Sequence, residues 1–123
     1  MTYETQHYLS VGVLSGNKIK NEKQIGNGYY VAHAEKPYFT LQLWQQPHQA
    51  FYVVKNKGNG KYTIFSRIVE SDDIPIFQRP VGYGHIHTDM KETLILQFNF
   101  PWQRCFLSLY PENKGESLNE QST

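Results

Sequence analysis

Ala50-Phe51-Tyr52-Val53-Val54-Lys55-Asn56-Lys57-Gly58-Asn59-Gly60-Lys61-Tyr62-Thr63-Ile64-Phe65 is the stretch whose reading decides the fold. Aromatic and β-branched residues suit a pleated, half-buried surface better than a helix. Two such runs, Ala50 to Lys55 and Lys61 to Val69, flank Asn56 to Gly60. Asn and Gly tolerate the positive φ angles that a tight hairpin needs, so the segment predicts two antiparallel strands joined by a short loop.

Working outward, the same grammar recurs. Toward the N-terminus, Tyr38 to Gln45 alternates, with Phe39, Leu41 and Leu43 facing one way and Tyr38, Thr40, Gln42 and Trp44 the other. Pro47 closes that run, and Pro37, with no N–H for a ladder, breaks it from Tyr29 to Glu35. Gly26-Asn27-Gly28 reads as a second turn, and the polar run Lys18 to Gln24 as a short exposed strand or a loop. Gln6 to Leu14 alternates again, with His7, Leu9, Val11 and Val13 on one face. Toward the C-terminus, Glu70 to Pro80 reads as a long connection with the acid pair Asp72-Asp73 and two prolines. Val81 to Asp89, Thr93 to Phe100 and Gln103 to Tyr110 are further strands, and Leu94, Leu96, Phe98 and Phe100 share a face.

The expectation is an all-β chain, a single small antiparallel sandwich, jelly roll or barrel of about eight short strands. Mixed loop lengths and the Glu70 to Pro80 connection favour a jelly roll or Greek-key sandwich over an up-and-down barrel. The domain is expected over residues 1–110. A tail over 111–123, rich in Glu, Asn and Ser, is expected to be disordered.

Composition bounds function loosely. The chain has 123 residues, 15% of them aromatic, so much of its core must be aromatic. A net charge of +1 argues against polyanion binding driven by bulk charge. The lone Cys105 forms no internal disulfide and suits a reducing compartment. Its apolar neighbours, Phe106 and Leu107, point to a buried, inert thiol. No run approaches the roughly 18 apolar residues of a membrane span, and the first twenty residues hold no apolar signal core. A cytoplasmic, membrane-free protein is the expectation.

The sharpest chemistry lies in Gly82-Tyr83-Gly84-His85-Ile86-His87-Thr88-Asp89, followed by Glu92. Histidines two apart on a strand point to one face, and with a carboxylate they suit a transition metal such as Zn, Fe, Mn or Ni. His85, His87 and Glu92 resemble the first metal-binding motif of the cupin family, a His-x-His followed a few positions later by an acid. That resemblance implies a small β jelly roll with those three residues as metal ligands, Asp89 being a further carboxylate on the same face. The family's second motif adds a downstream His, and none follows His87 here. Without metal, the pair is a set of ligand-facing or solvent-facing strand residues, and no cofactor is required. His7, His33 and His48 fall on other strands or turns.

Templates for a serine elbow, a phosphate-binding loop and a His-Glu-x-x-His zinc site are absent from the sequence. Asp72-Asp73 reads as a solvated loop pair. The leading expectation is therefore a non-enzymatic binding module: an inhibitor, adaptor or sequestering protein, of the kind phages and plasmids encode. It would act through an aromatic β-surface and loops on a protein partner or small ligand. Tyr83, His85, His87, Trp44 and Trp102 are its candidate contacts, with the amide-rich turn Trp44 to Gln49 suited to a sugar or a protein. The alternative is the cupin-like metalloprotein. A further reading is nucleic-acid binding through Lys55, Lys57 and Lys61 at the hairpin tip, and through Lys18, Lys20 and Lys23. A homodimer through a sheet face is also expected.

Overall fold

The computed structural model describes residues 3–33, 35–58, 60–87, 92–99 and 102–111. Eight strands follow one another: β1 (Tyr3–Ser15), β2 (Lys18–Val31), β3 (Tyr38–Leu43), β4 (Ala50–Lys55), β5 (Lys61–Ser71), β6 (Ile74–Ile86), β7 (Thr93–Asn99) and β8 (Trp102–Pro111). Each pairs antiparallel with the next, and β8 returns to β1, so the sheet closes into a barrel. Closure pairs both edges of the sheet around the ring, leaving unpaired edge only where strands project beyond it.

The all-β class expected from sequence is what forms, but the order is strictly sequential. That is an up-and-down barrel, and the preference for a jelly roll or Greek-key sandwich is corrected. The segment that carried the preference, Glu70 to Pro80, is a hairpin: Ser71 pairs with Ile74. Asp72 and Asp73 sit at φ 54° and 65°, the two positive values that a two-residue type I′ turn requires. Pro80 is accommodated beside the register shift between Ile64 and Phe65, where a bulge relieves the ladder of its missing N–H. Pro111, placed in the tail by sequence, pairs with His7 in the barrel wall, while residues 112–123 lie outside the described residues.

Inside, the alternation read from sequence is realised. Leu41, Val53, Ile64, Leu94, Leu96, Phe98 and Leu107 meet in one buried cluster, with Phe39 and Leu43 packed against it. An eight-stranded barrel has an interior only just wide enough for such side chains. Two strands must therefore bring almost none. β6 supplies Gly82 and Gly84, and β2 supplies Gly26 and Gly28. Gly26-Asn27-Gly28 is thus no turn. It runs mid-strand, where a Cβ on Gly28 would come within 2.6 Å of Leu107 Cδ1. The Asn56 to Gly60 loop does turn, as expected, with Gly58 and Gly60 at φ 81° and 69° and the Asn56 amide bonded to the Lys61 carbonyl at 2.7 Å.

A second aromatic layer lies outside. β5 and β6 run on past β4 and fold against the outer face of β3 and β4. There the Phe77 ring meets those of Tyr38 at 5.1 Å, Phe65 at 5.6 Å and Tyr52 at 6.3 Å. Tyr38, on the outer face, is left only 2% exposed. His33 ties down the ribbon tip by donating from Nε2 to the Asp73 carbonyl at 2.7 Å, while its Nδ1 accepts from the Glu35 and Lys36 amides.

The closing seam is held in a similar way. Buried His7 donates from Nδ1 to the Ser108 carbonyl at 2.9 Å and accepts at Nε2 from the Thr5 hydroxyl at 2.6 Å. Both histidines are thereby committed to the fold, and neither completes a site with His85 and His87.

Candidate functional site: a cleft beside Trp44

The barrel has two ends. One carries the β1–β2, β3–β4, β5–β6 and β7–β8 turns, and the other carries the β2–β3, β4–β5 and β6–β7 connections. At the first end the pairing of β2 with β3 stops early. Gly26 pairs with Leu43, the Trp44 amide reaches the Ile25 carbonyl at 2.9 Å, and β2 continues back to Lys18 without β3. The free β1–β2 ribbon is bent by two register shifts, between Leu9 and Ser10 and between Val11 and Val13. Asn21, at φ 55°, lies within the second. Bulges of this kind sharpen twist and re-aim side chains.

Between this ribbon and the β3–β4 turn a cleft opens, about 280 Å³ in volume. Its floor is Val11, Ile25 and Leu43, all packed on the core. Its walls are Lys23 on the ribbon and Trp44, Gln45 and Gln46 on the turn, and the Trp44 side chain is 55% exposed. The turn is braced from below. Gln46 and Gln49 close successive backbone bonds to Leu43 and Gln46, and the Gln42 amide donates to the Pro47 carbonyl at 2.9 Å. Gln49 donates to Ala50 and Ser66 carbonyls, anchoring the far side. The platform is built before any ligand arrives, which lowers the entropic cost of binding.

Polar groups in the cleft are largely unspent. Among the described residues, the Lys23 ammonium, the Trp44 indole N–H and the Gln45 and Gln46 side-chain amides have no hydrogen-bond or ion-pair partner. Gln24 donates one of its two amide N–H groups to the Gly26 carbonyl at 3.0 Å. The nearest acid on the ribbon, Glu22, is held by the Ser10 hydroxyl at 2.6 Å. By strand alternation Ser10 points away from Val11, so that carboxylate is held on the reverse face. Lys23 is the sole charge among the lining residues.

The residues singled out in the sequence divide between places. Trp44 is in the cleft, and Trp102 pairs through its backbone with Asn99 at the same end, its ring lying outside the described side chains. Tyr83 stands half exposed on the outer wall between Thr63 and Gln97. His85 is exposed on that wall between Lys61 and Ile95, near the opposite end. His87 follows the end of β6, its amide bonded to the Thr93 carbonyl, and Glu92 is exposed. Asp89 lies outside the described residues. Among the described residues no group of three or more His, Cys, Asp or Glu gathers to hold a metal ion. The sequential strand order is also unlike the jelly roll that the cupin resemblance implies.

Lys55, Lys57 and Lys61 stand at the end opposite Lys18, Lys20 and Lys23, so the two groups do not form one track. Cys105 is buried against the core, which pushes its thiol up to about 12 and leaves it without thiolate character near neutrality. The Tyr62 phenol is raised as well, by burial first and by Tyr30 second. Among the described residues no helix is long and apolar enough to cross a membrane.

What the sequence missed is the other wall. Lys23 stands out in the sequence only as one of a basic group, Val11 and Leu43 as members of alternating strand faces, and Ile25 not at all. No local signal marks the ribbon that brings them to Trp44. No protein-family model, no curated protein and no solved structure matches the chain.

Proposed function

We propose that this protein is a non-enzymatic binding module and that its site is the cleft between the β1–β2 ribbon and the Trp44 turn. The observation that carries the reading is the set of unspent groups there. An exposed indole, two glutamine amides and one ammonium converge over an apolar floor that is already packed. Ligand sites pair an apolar lining with a few placed polar groups in this way. Nothing in the cleft resembles catalytic machinery: its lining lacks a nucleophile with a base and a pair of acids. Its size suits a small ligand or one side chain of a protein partner.

The test is a two-dimensional NMR screen of small polar fragments against the 15N-labelled protein. Binders are expected to move the Trp44 indole signal, assigned with Trp44→Phe, together with the amides of Lys23, Gln45 and Gln46. Hits that cluster instead around Tyr83 and His85, or a screen without hits, would overturn the assignment.

A further inference from the structure

Resting on that reading of the cleft, we infer that its ligand is a single sugar-sized ring carrying one negative group, such as a hexuronic acid or a sugar phosphate. Three features of the site select this chemistry. The first is its one aromatic surface. The negative face of an indole attracts the weakly positive C–H face of a pyranose. The rest of the floor, Val11, Ile25 and Leu43, is aliphatic. A nucleobase also stacks on a single aromatic ring, and it is therefore the competing occupant that the titration must separate.

The second feature is the amides. A glutamine amide both donates and accepts, and so does each sugar hydroxyl, so Gln45 and Gln46 match an edge of hydroxyls without regard to which atom donates. The third is charge. Lys23 is the only charged residue of the lining, and Glu22 is turned away on Ser10. Lysine is a compact point charge, suited to one carboxylate or phosphate oxygen rather than to a planar two-point clamp. A volume of about 280 Å³ holds one such ring.

The experiment titrates the labelled protein with methyl β-D-glucuronide, methyl β-D-glucoside and adenine in parallel. The glucuronide is expected to shift the Trp44 indole and the Gln45 and Gln46 amides saturably, with Kd on the order of 1 mM. The glucoside, lacking the charge-assisted bond, is expected to bind about tenfold more weakly. Lys23→Gln should bring the glucuronide down to the glucoside's level and leave the glucoside unchanged. Trp44→Ala should abolish both, and Trp44→Phe should retain part. Equal binding of the two glycosides, or tighter binding of the nucleobase, overturns the inference. If neither glycoside moves the cleft while another fragment does, the ligand class is wrong and the binding site stands. If no compound moves it, both fall.

Discussion

Gly26-Asn27-Gly28 and Gly58-Asn59-Gly60 are the same tripeptide, each followed closely by an aromatic residue. The molecule uses them for opposite purposes. Gly58 and Gly60 have positive φ and open space around them, so a side chain there meets no neighbour and only the backbone conformation objects. Gly26 and Gly28 have ordinary extended backbone and no space at all. Local chemistry explains Gly58 and Gly60 completely. Only the closed barrel explains Gly26 and Gly28, because it places Leu107, Leu41 and the β3 backbone against β2.

The comparison is broken most forcefully by Gly26→Ala. Its Cβ would lie 2.1 Å from the Gln42 carbonyl oxygen, and a backbone atom cannot swing aside. β2 and β3 must part, and with them goes the Trp44 to Ile25 bond that sets the cleft. A loss of about 3 kcal/mol or more is expected in urea unfolding. Cys105 gives an independent readout, because its thiol reacts only when the barrel opens. Thiol labelling at pH 8 should run on the order of a hundredfold faster in this variant than in the parent. The same thiol carries a pH signature in the parent. Its value is raised from 9.0 to about 12 by folding, so its contribution is intact below pH 9 and is lost as the pH climbs from there toward 12.

Gly28→Ala should cost less, about 1 to 3 kcal/mol, because the atom it meets at 2.6 Å is the end of a leucine side chain. The leucine makes this sharper. In a Leu107→Ala background the new methyl enters the space the leucine leaves, so the double variant should be more stable than the two single losses predict. A coupling of about 1 kcal/mol or more is expected, and additive losses would show that Gly28 is not there for packing. Gly58→Ala should cost about 1 kcal/mol, the strain of a side chain at positive φ, with no effect on thiol labelling beyond that loss.

The contrast also shows what was legible in the sequence. Alternation placed Phe39, Leu41, Leu43, Leu94, Leu96 and Phe98 on the inner face because a strand's period of two is a local property. The Asn56 to Gly60 turn and the inert Cys105 were legible for the same reason. The strand order was not. Asp72-Asp73 is a hairpin turn without the glycine that usually announces one, and so it passed for part of a long connection. The cleft was half legible. An aromatic beside glutamines in a turn marks a surface able to bind, and Trp44 was read that way. Its opposite wall depends on two bulges in the β1–β2 ribbon, whose positions follow from register around the whole ring.

Trp44→Ala gives the smallest effect on stability and tests the other side of the contrast. The side chain stands over a floor of Val11, Ile25 and Leu43 that the core already supports, and more than half of it faces solvent. The backbone bonds that shape its turn come from Trp44 N, Gln46 and Gln49 and need no indole. The unfolding free energy from urea should therefore change by no more than about 0.5 kcal/mol, as for a surface position whose atoms do not hold the fold. A loss of the size expected for Gly28→Ala would make the indole a structural lid over the floor, and the cleft a gap in packing. A near-zero loss leaves a large exposed aromatic that the barrel does not need for its own stability, at the position where recognition needs one.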